Sequence, residues 1–185
     1  MRQWYVAMIS NVSVHEVYPG HYVQFLFAPQ FPSRARKVFG AATNSEGWAH
    51  YCEQMMVDAG FGRKDPLVRL GQLQEALVRL VRFVVSIRLH AEDLSVEQGV
   101  RMFREMAFLE EANARREAER GAFDPTYLVY SVGKLMLQKL RHDVEAKEGD
   151  AFSLRNFHDS LLKQGAAPFA LHRRLMLGDT GSVLD

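Results

Sequence analysis

The stretch His15-Glu16-Val17-Tyr18-Pro19-Gly20-His21 sets two histidines and a glutamate within seven residues and interrupts them with Pro-Gly. Imidazole nitrogen and carboxylate oxygen are the donors zinc prefers, and a catalytic zinc site takes three of them and leaves a position for water. In the HExxH pattern the two histidines stand four apart on one helix face. Here they stand six apart, and ~240° of rotation at ~100° per residue would point them away from each other on a regular helix. Proline removes a helical hydrogen bond and glycine relaxes the backbone. Pro19-Gly20 therefore reads as a bend that turns His21 back toward His15. Glu46, in Ser45-Glu46-Gly47-Trp48, offers a third donor. The expectation is one zinc ion per chain held by His15, His21 and Glu46, with Glu16 beside the first histidine as the base that takes a proton from water.

Outward from this stretch almost every segment reads as helix. Trp4 to Val17 carries apolar residues at helical spacing, and His21 to Phe27 continues briefly beyond the bend. The prolines of residues 28–33 mark a loop. Ser45 is expected to cap a helix running to Ala59, stopped by Gly60 and Gly62. Asp65-Pro66 is a cap followed by proline at the first helical position, opening a helix to about His90. Leu70, Leu73, Leu77, Leu80, Val81, Val84 and Leu89 would form its broad apolar face. Ser95-x-x-Gln98 is a capping box. A charged helix over 110–120 is expected to end at Gly121, another to begin at Asp124-Pro125 and end near Gly149, and Ser153 to cap one ending at Gly165. Residues 168–177 close the chain. No period-two strand, repeat or low-complexity segment is present. The fold class is all-α, a single compact helical domain over 1–185.

The composition is that of an ordinary globular protein, with 48% apolar and 24% charged residues. A net charge of +1 gives no electrostatic case for nucleic acid or an anionic membrane. No apolar run approaches membrane-spanning length. The first ten residues lack the basic start and apolar core of a signal peptide. The single cysteine, Cys52, excludes an internal disulfide and leans toward the cytoplasm.

The residues His15-Glu16-x-x-Pro19-Gly20-His21-x-x-Gln24 and Glu46-Gly47-Trp48-Ala49-x-Tyr51-x-Glu53 resemble the bacterial "domain of unknown function eight-eight-five" family. The likeness continues through Asp65-Pro66-Leu67, Arg69-Leu70-Gly71, His90-Ala91, Glu117-x-x-Arg120, Pro125, Tyr130-x-x-Gly133, Phe157-His158-Asp159 and Gly165-Ala166. Such proteins look like gluzincin-type zinc metallopeptidases and are typically several times longer. The resemblance implies a fold equivalent to the C-terminal catalytic part. It also implies a peptide or related amide as substrate, and a tyrosine, Tyr130 first, as oxyanion donor.

Other candidates follow. Glu46, His50 and Glu53 share a helix face at i, i+4 and i+7. Glu53 could accept the free N–H of a ligand histidine, or face solvent. His50 departs from the family's apolar residue and is expected first at the surface, with a competing ligand or a substrate contact as the alternatives. His90 could donate to an oxyanion or simply sit at a helix C-terminus. Tyr127 lies one turn before Tyr130 and is a candidate substrate contact. Arg120 could hold a substrate carboxylate in a two-point bond or pair with Glu117. His158-Asp159-Ser160 has triad letters, but adjacent residues cannot form a triad. The alternative to a hydrolase is a non-catalytic metal-binding or interaction module. A further alternative is that a partner or a second copy supplies what the longer relatives carry N-terminally.

Overall fold

The computed structural model describes residues 6–184. All regular structure among them is helical: α1 (Val6–Glu16), α2 (His21–Leu26), α3 (Arg34–Val38), α4 (Ala42–Asp58), α5 (Pro66–Ala91), α6 (Val96–Met106), α7 (Glu111–Phe123), α8 (Val129–Glu148), α9 (Leu154–Lys163) and α10 (Phe169–Leu177). Trp4, expected to open the first helix, lies outside the described residues. No helix among them is long and apolar enough to cross a membrane.

Local chemistry sets most helix ends. Asp65 accepts from the Leu67 amide at 2.9 Å to start α5. Ser95 and Gln98 form the reciprocal box at α6. Ser153 accepts from the Asn156 amide to start α9. Gly60, at φ +101°, follows α4, and Gly178, at φ +78°, closes α10. Three ends depart from expectation. The Ala41 carbonyl accepts from the Asn44 and Ser45 amides, so α4 starts at Ala42 and Ser45 lies within it. α7 runs through Gly121 to Phe123. Gly121 is there for closeness, since a Cβ at that position would sit 3.3 Å from the Tyr127 ring. α8 begins at Val129, because the Asp124 carboxylate ties down the Thr126 amide and hydroxyl in a turn instead.

Two compact units divide the chain: Met1–Val12 with Met56–Ser131, and Ser13–Met55 with Val132–Asp185. In the first, Val78, Val81 and Val85 of α5, Val100 and Phe103 of α6, and Ala114 and Ala118 of α7 form a core with Tyr127. Here the leucine-based reading of α5 is corrected. Leu70, Leu73, Leu80 and Val84 are 56, 45, 49 and 37% exposed. Val81 is buried as expected, and Leu77 and Leu89 pack against the core, but the buried side otherwise carries Val68, Gly71, Gln72, Val78, Arg79, Val85 and Ser86. Small residues let neighbouring backbones approach, and several of the polar groups are hydrogen-bonded. Arg79 donates to Glu75 at 3.2 Å, Ser86 to the Pro125 carbonyl at 3.0 Å, and Ser131 to the Arg79 carbonyl at 3.1 Å.

In the second unit, Trp48, Ala49, Tyr51 and Cys52 of α4 are buried, as are Leu137, Leu140 and Val144 of α8 and Phe157, Leu161 and Leu162 of α9. α4 and α8 touch backbone to backbone. A Cβ on Gly47 would fall 2.4 Å from the Gly133 carbonyl carbon, and one on Gly133 would fall 1.8 Å from the Thr43 oxygen. A buried polar chain fastens α2 to the rest. Gln24 donates to Asn44 at 3.1 Å, and the Asn44 amide donates to the Ala167 carbonyl at 2.8 Å and lies 3.0 Å from His172 Nε2.

Candidate metal centre

The centre is built where α1 stops, α2 starts and α4 passes. α1 ends at Glu16 and α2 begins at His21, so the six-residue spacing is met by two separate helices joined by a turn, with Tyr18-Pro19 cis. Gly20 is in that turn for space rather than for an unusual φ. Its amide donates to the Val14 carbonyl at 3.0 Å, and a Cβ there would lie 1.7 Å from the His15 carbonyl oxygen. Trp48 closes the turn, its indole N–H donating to the Pro19 carbonyl at 3.0 Å.

His15, His21 and Glu46 converge, one donor atom of each lying within 4.8 Å of the others. Nε2 of His15 and Nε2 of His21 are each 3.4 Å from Glu46 Oε2, and their rings meet edge-on with centroids 4.9 Å apart. Glu46 Oε2 is buried without a hydrogen-bond partner, although two imidazoles point at it. Burial alone would raise the Glu46 carboxyl, but His15 and His21 outweigh it and hold it at about 2. Two imidazole nitrogens and an ionised carboxylate oxygen facing one point are a donor set that suits a divalent transition metal.

Behind His15 stands Glu53, 0% exposed, with Oε1 2.6 Å from His15 Nδ1. A carboxylate there holds the proton on Nδ1, so that Nε2 is the atom His15 would offer to a metal. His21 differs. Its Nδ1 is buried without a partner, and Phe25 stacks on its ring at 6.1 Å. Glu16 ends α1 with an exposed side chain. His50, expected at the surface, is 2% exposed, with Nδ1 3.3 Å from Glu53 Oε2. The helical spacing signalled a shared face with Glu53 but not that this face is interior.

The remaining candidates belong to the first unit. Tyr127 is fully buried, and its hydroxyl donates to Glu117. Glu117 takes a two-point bond from Arg82 at 2.7 and 2.8 Å, so its partner is Arg82 and not Arg120. Burial raises the Glu117 carboxyl, and Arg82 more than reverses this. Burial together with Glu117 pushes the Tyr127 phenol up. The Arg120 guanidinium lies over the Tyr127 ring at 5.0 Å. Tyr130, half-buried at the start of α8, carries Arg82 and Arg79 against its ring at 5.4 and 5.7 Å. His90 Nε2 donates to the Gly121 carbonyl at 2.9 Å. In the second unit His158 forms no triad. Its Nε2 is 3.0 Å from the Tyr51 hydroxyl, which accepts from Arg141, and burial with the Arg141 charge lowers it to about 4.

Fold and cluster together define an all-helical protein with a two-histidine, one-glutamate centre. The chain belongs to the family described as bacterial protein of unknown function (DUF885), whose model matches residues 1–176. No curated protein matches it. Among solved structures, a "putative lipoprotein of unknown function" from Shewanella oneidensis is 28% identical, with a TM-score of 0.87 over 93% of this chain and 32% of its own. A "putative lipoprotein" from Colwellia psychrerythraea is 33% identical, with a TM-score of 0.87 over 94% of this chain and 30% of its own. The chain thus spans about a third of the length of these relatives.

Proposed function

We propose that the chain is the metal-binding, catalytic portion of a zinc-dependent hydrolase acting on a peptide or related amide. The observation that carries this reading is the convergence of His15, His21 and Glu46, with Glu53 fixing the His15 tautomer. When bound, a zinc ion supplies Lewis acidity, acidifying water and polarising a carbonyl. His15, His21 and Glu46 hold it. Glu16, next to a ligand yet exposed, takes the proton from water and passes it to the leaving amine.

The test is metal content of protein purified without added metal, together with a peptidase screen. Wild type should carry about one zinc per chain, as a single three-ligand site requires. Glu16→Gln should keep the metal and lose hydrolysis, whereas Glu46→Gln should lose the metal. Full zinc in both His15→Ala and His21→Ala would place the site elsewhere.

A second reading, a metal-binding module that acts with a partner polypeptide or a second copy, is favoured by the exposed leucines of α5. Hydrolysis by the isolated chain would decide against it. The lipoprotein descriptions of the solved relatives favour an envelope setting over the cytoplasmic one suggested by the single cysteine.

A further inference from the structure

We infer that His50 is a positioning residue of the metal centre, acting on His15 through Glu53. The inference rests on the proposed metal site. Glu53 is a wholly buried carboxylate whose two oxygens face different imidazoles: Oε1 is 2.6 Å from His15 Nδ1, and Oε2 is 3.3 Å from His50 Nδ1. His50 and Glu53 are i and i+3 on α4, so the helix itself presents His50 to Glu53. The Glu53 charge is also felt next door, where burial of the Cys52 thiol first, and then that charge, push the thiol up.

Rotation of a carboxylate about its last bond would swing Oε1 away from His15. An N–H held against Oε2 blocks that rotation. His50 Nδ1–H thus fixes the Glu53 plane, Glu53 fixes the His15 ring and its Nδ1 proton, and His15 Nε2 is aimed where Glu46 Oε2 and His21 Nε2 also meet. His21 has no such support among the described residues, its buried Nδ1 being without a partner. The rigidity of the centre is therefore carried on the His15 side, and His50 is its outer member. Removing partners of this outer kind typically lowers metal affinity roughly 10- to 100-fold.

The experiment is Co²⁺ titration of the full chain, read by the visible absorption of the bound ion, on wild type and on His50→Leu, His50→Asn and His50→Gln. Circular dichroism and melting temperature are followed in parallel. An asparagine amide nitrogen reaches the place of imidazole Nδ1, a glutamine amide that of Nε2, and leucine offers neither. Positioning predicts that Asn binds within about threefold of wild type, while Leu and Gln bind roughly 10- to 100-fold more weakly with altered spectra. A packing role would rank the variants by size and make Asn the worst. If Leu fails to fold, the Asn–Gln order still decides. Wild-type affinity in Leu, equal losses in Asn and Gln, or rescue by Gln alone would each overturn the inference. Failure of wild type to bind Co²⁺ would overturn the metal-centre reading itself, and this inference with it.

Discussion

The indole nitrogen of Trp48 donates to the carbonyl oxygen of Pro19 across 29 residues of sequence, at 3.0 Å, and lies 3.3 Å from the Gly20 oxygen. One side chain of α4 thereby satisfies the turn that delivers His21, two residues after Glu46 leaves the same helix for the cluster. Trp48→Phe keeps the aromatic packing and removes the donor. Urea denaturation should show a loss of about 1–2 kcal/mol, the cost of leaving a buried carbonyl unpaired. Metal affinity should fall more steeply than stability, because the turn sets where His21 starts.

Gly20→Ala should disrupt the centre without dissolving the helices. The added carbon cannot coexist with the His15 carbonyl 1.7 Å away, so the turn must open. Circular dichroism should stay close to wild type while zinc content of the purified protein drops. Retained zinc would mean that the two histidines are placed independently of the turn.

Gly47→Ala and Gly133→Ala test the contact of α4 with α8. Helix propensity alone would favour alanine by about 1 kcal/mol. The collision of each new Cβ with the opposing backbone should outweigh it and destabilise the chain by about 1–3 kcal/mol or more. A melting temperature raised by either change would show that the helices separate at little cost.

His172 predicts a pH dependence of stability. It is 0% exposed, and burial first, then the Arg36 charge, lowers it from 6.5 to about 4 despite a bond to the Gly165 carbonyl. Between those values the unfolded chain binds a proton that the folded chain does not. Stability therefore rises with pH across this window and is lost as pH falls from about 6.5 toward 4, by up to roughly 3 kcal/mol. Half-buried His158, also near 4, adds in the same direction with a smaller share. Urea midpoints at pH 4.5 and 7 should differ less in His172→Asn than in wild type.

The helical class and most helix ends were legible because caps and stop glycines are local chemistry: Asp65-Pro66, Ser95-Gln98 and Ser153 act within four residues of themselves. The convergence of His15, His21 and Glu46 was legible because few residue types suit such a cluster. Their geometry was less so. Six-residue spacing suggested one bent helix, where the chain uses two helices and a turn held by Trp48. The buried face of α5 was read correctly only at Val81, Leu77 and Leu89, because leucine count indicates hydrophobicity, while burial there also follows small residues and polar ones such as Gln72 and Ser86. Asn44, His172 and the inward turn of His50 gave no local signal, since their partners lie far away in sequence or depend on which helix face is covered.

The Gly47–Gly133 contact separates two histories that a sequence otherwise mixes. A relative that has lost His15 or Glu46 can still keep the close approach of α4 and α8 as long as both positions stay without a Cβ. A relative with the ligands intact but a bulky residue at either position must have moved one helix away from the other. The glycine pair is thus a marker of packing, the cluster of His15, His21 and Glu46 a marker of chemistry, and the two need not be inherited together.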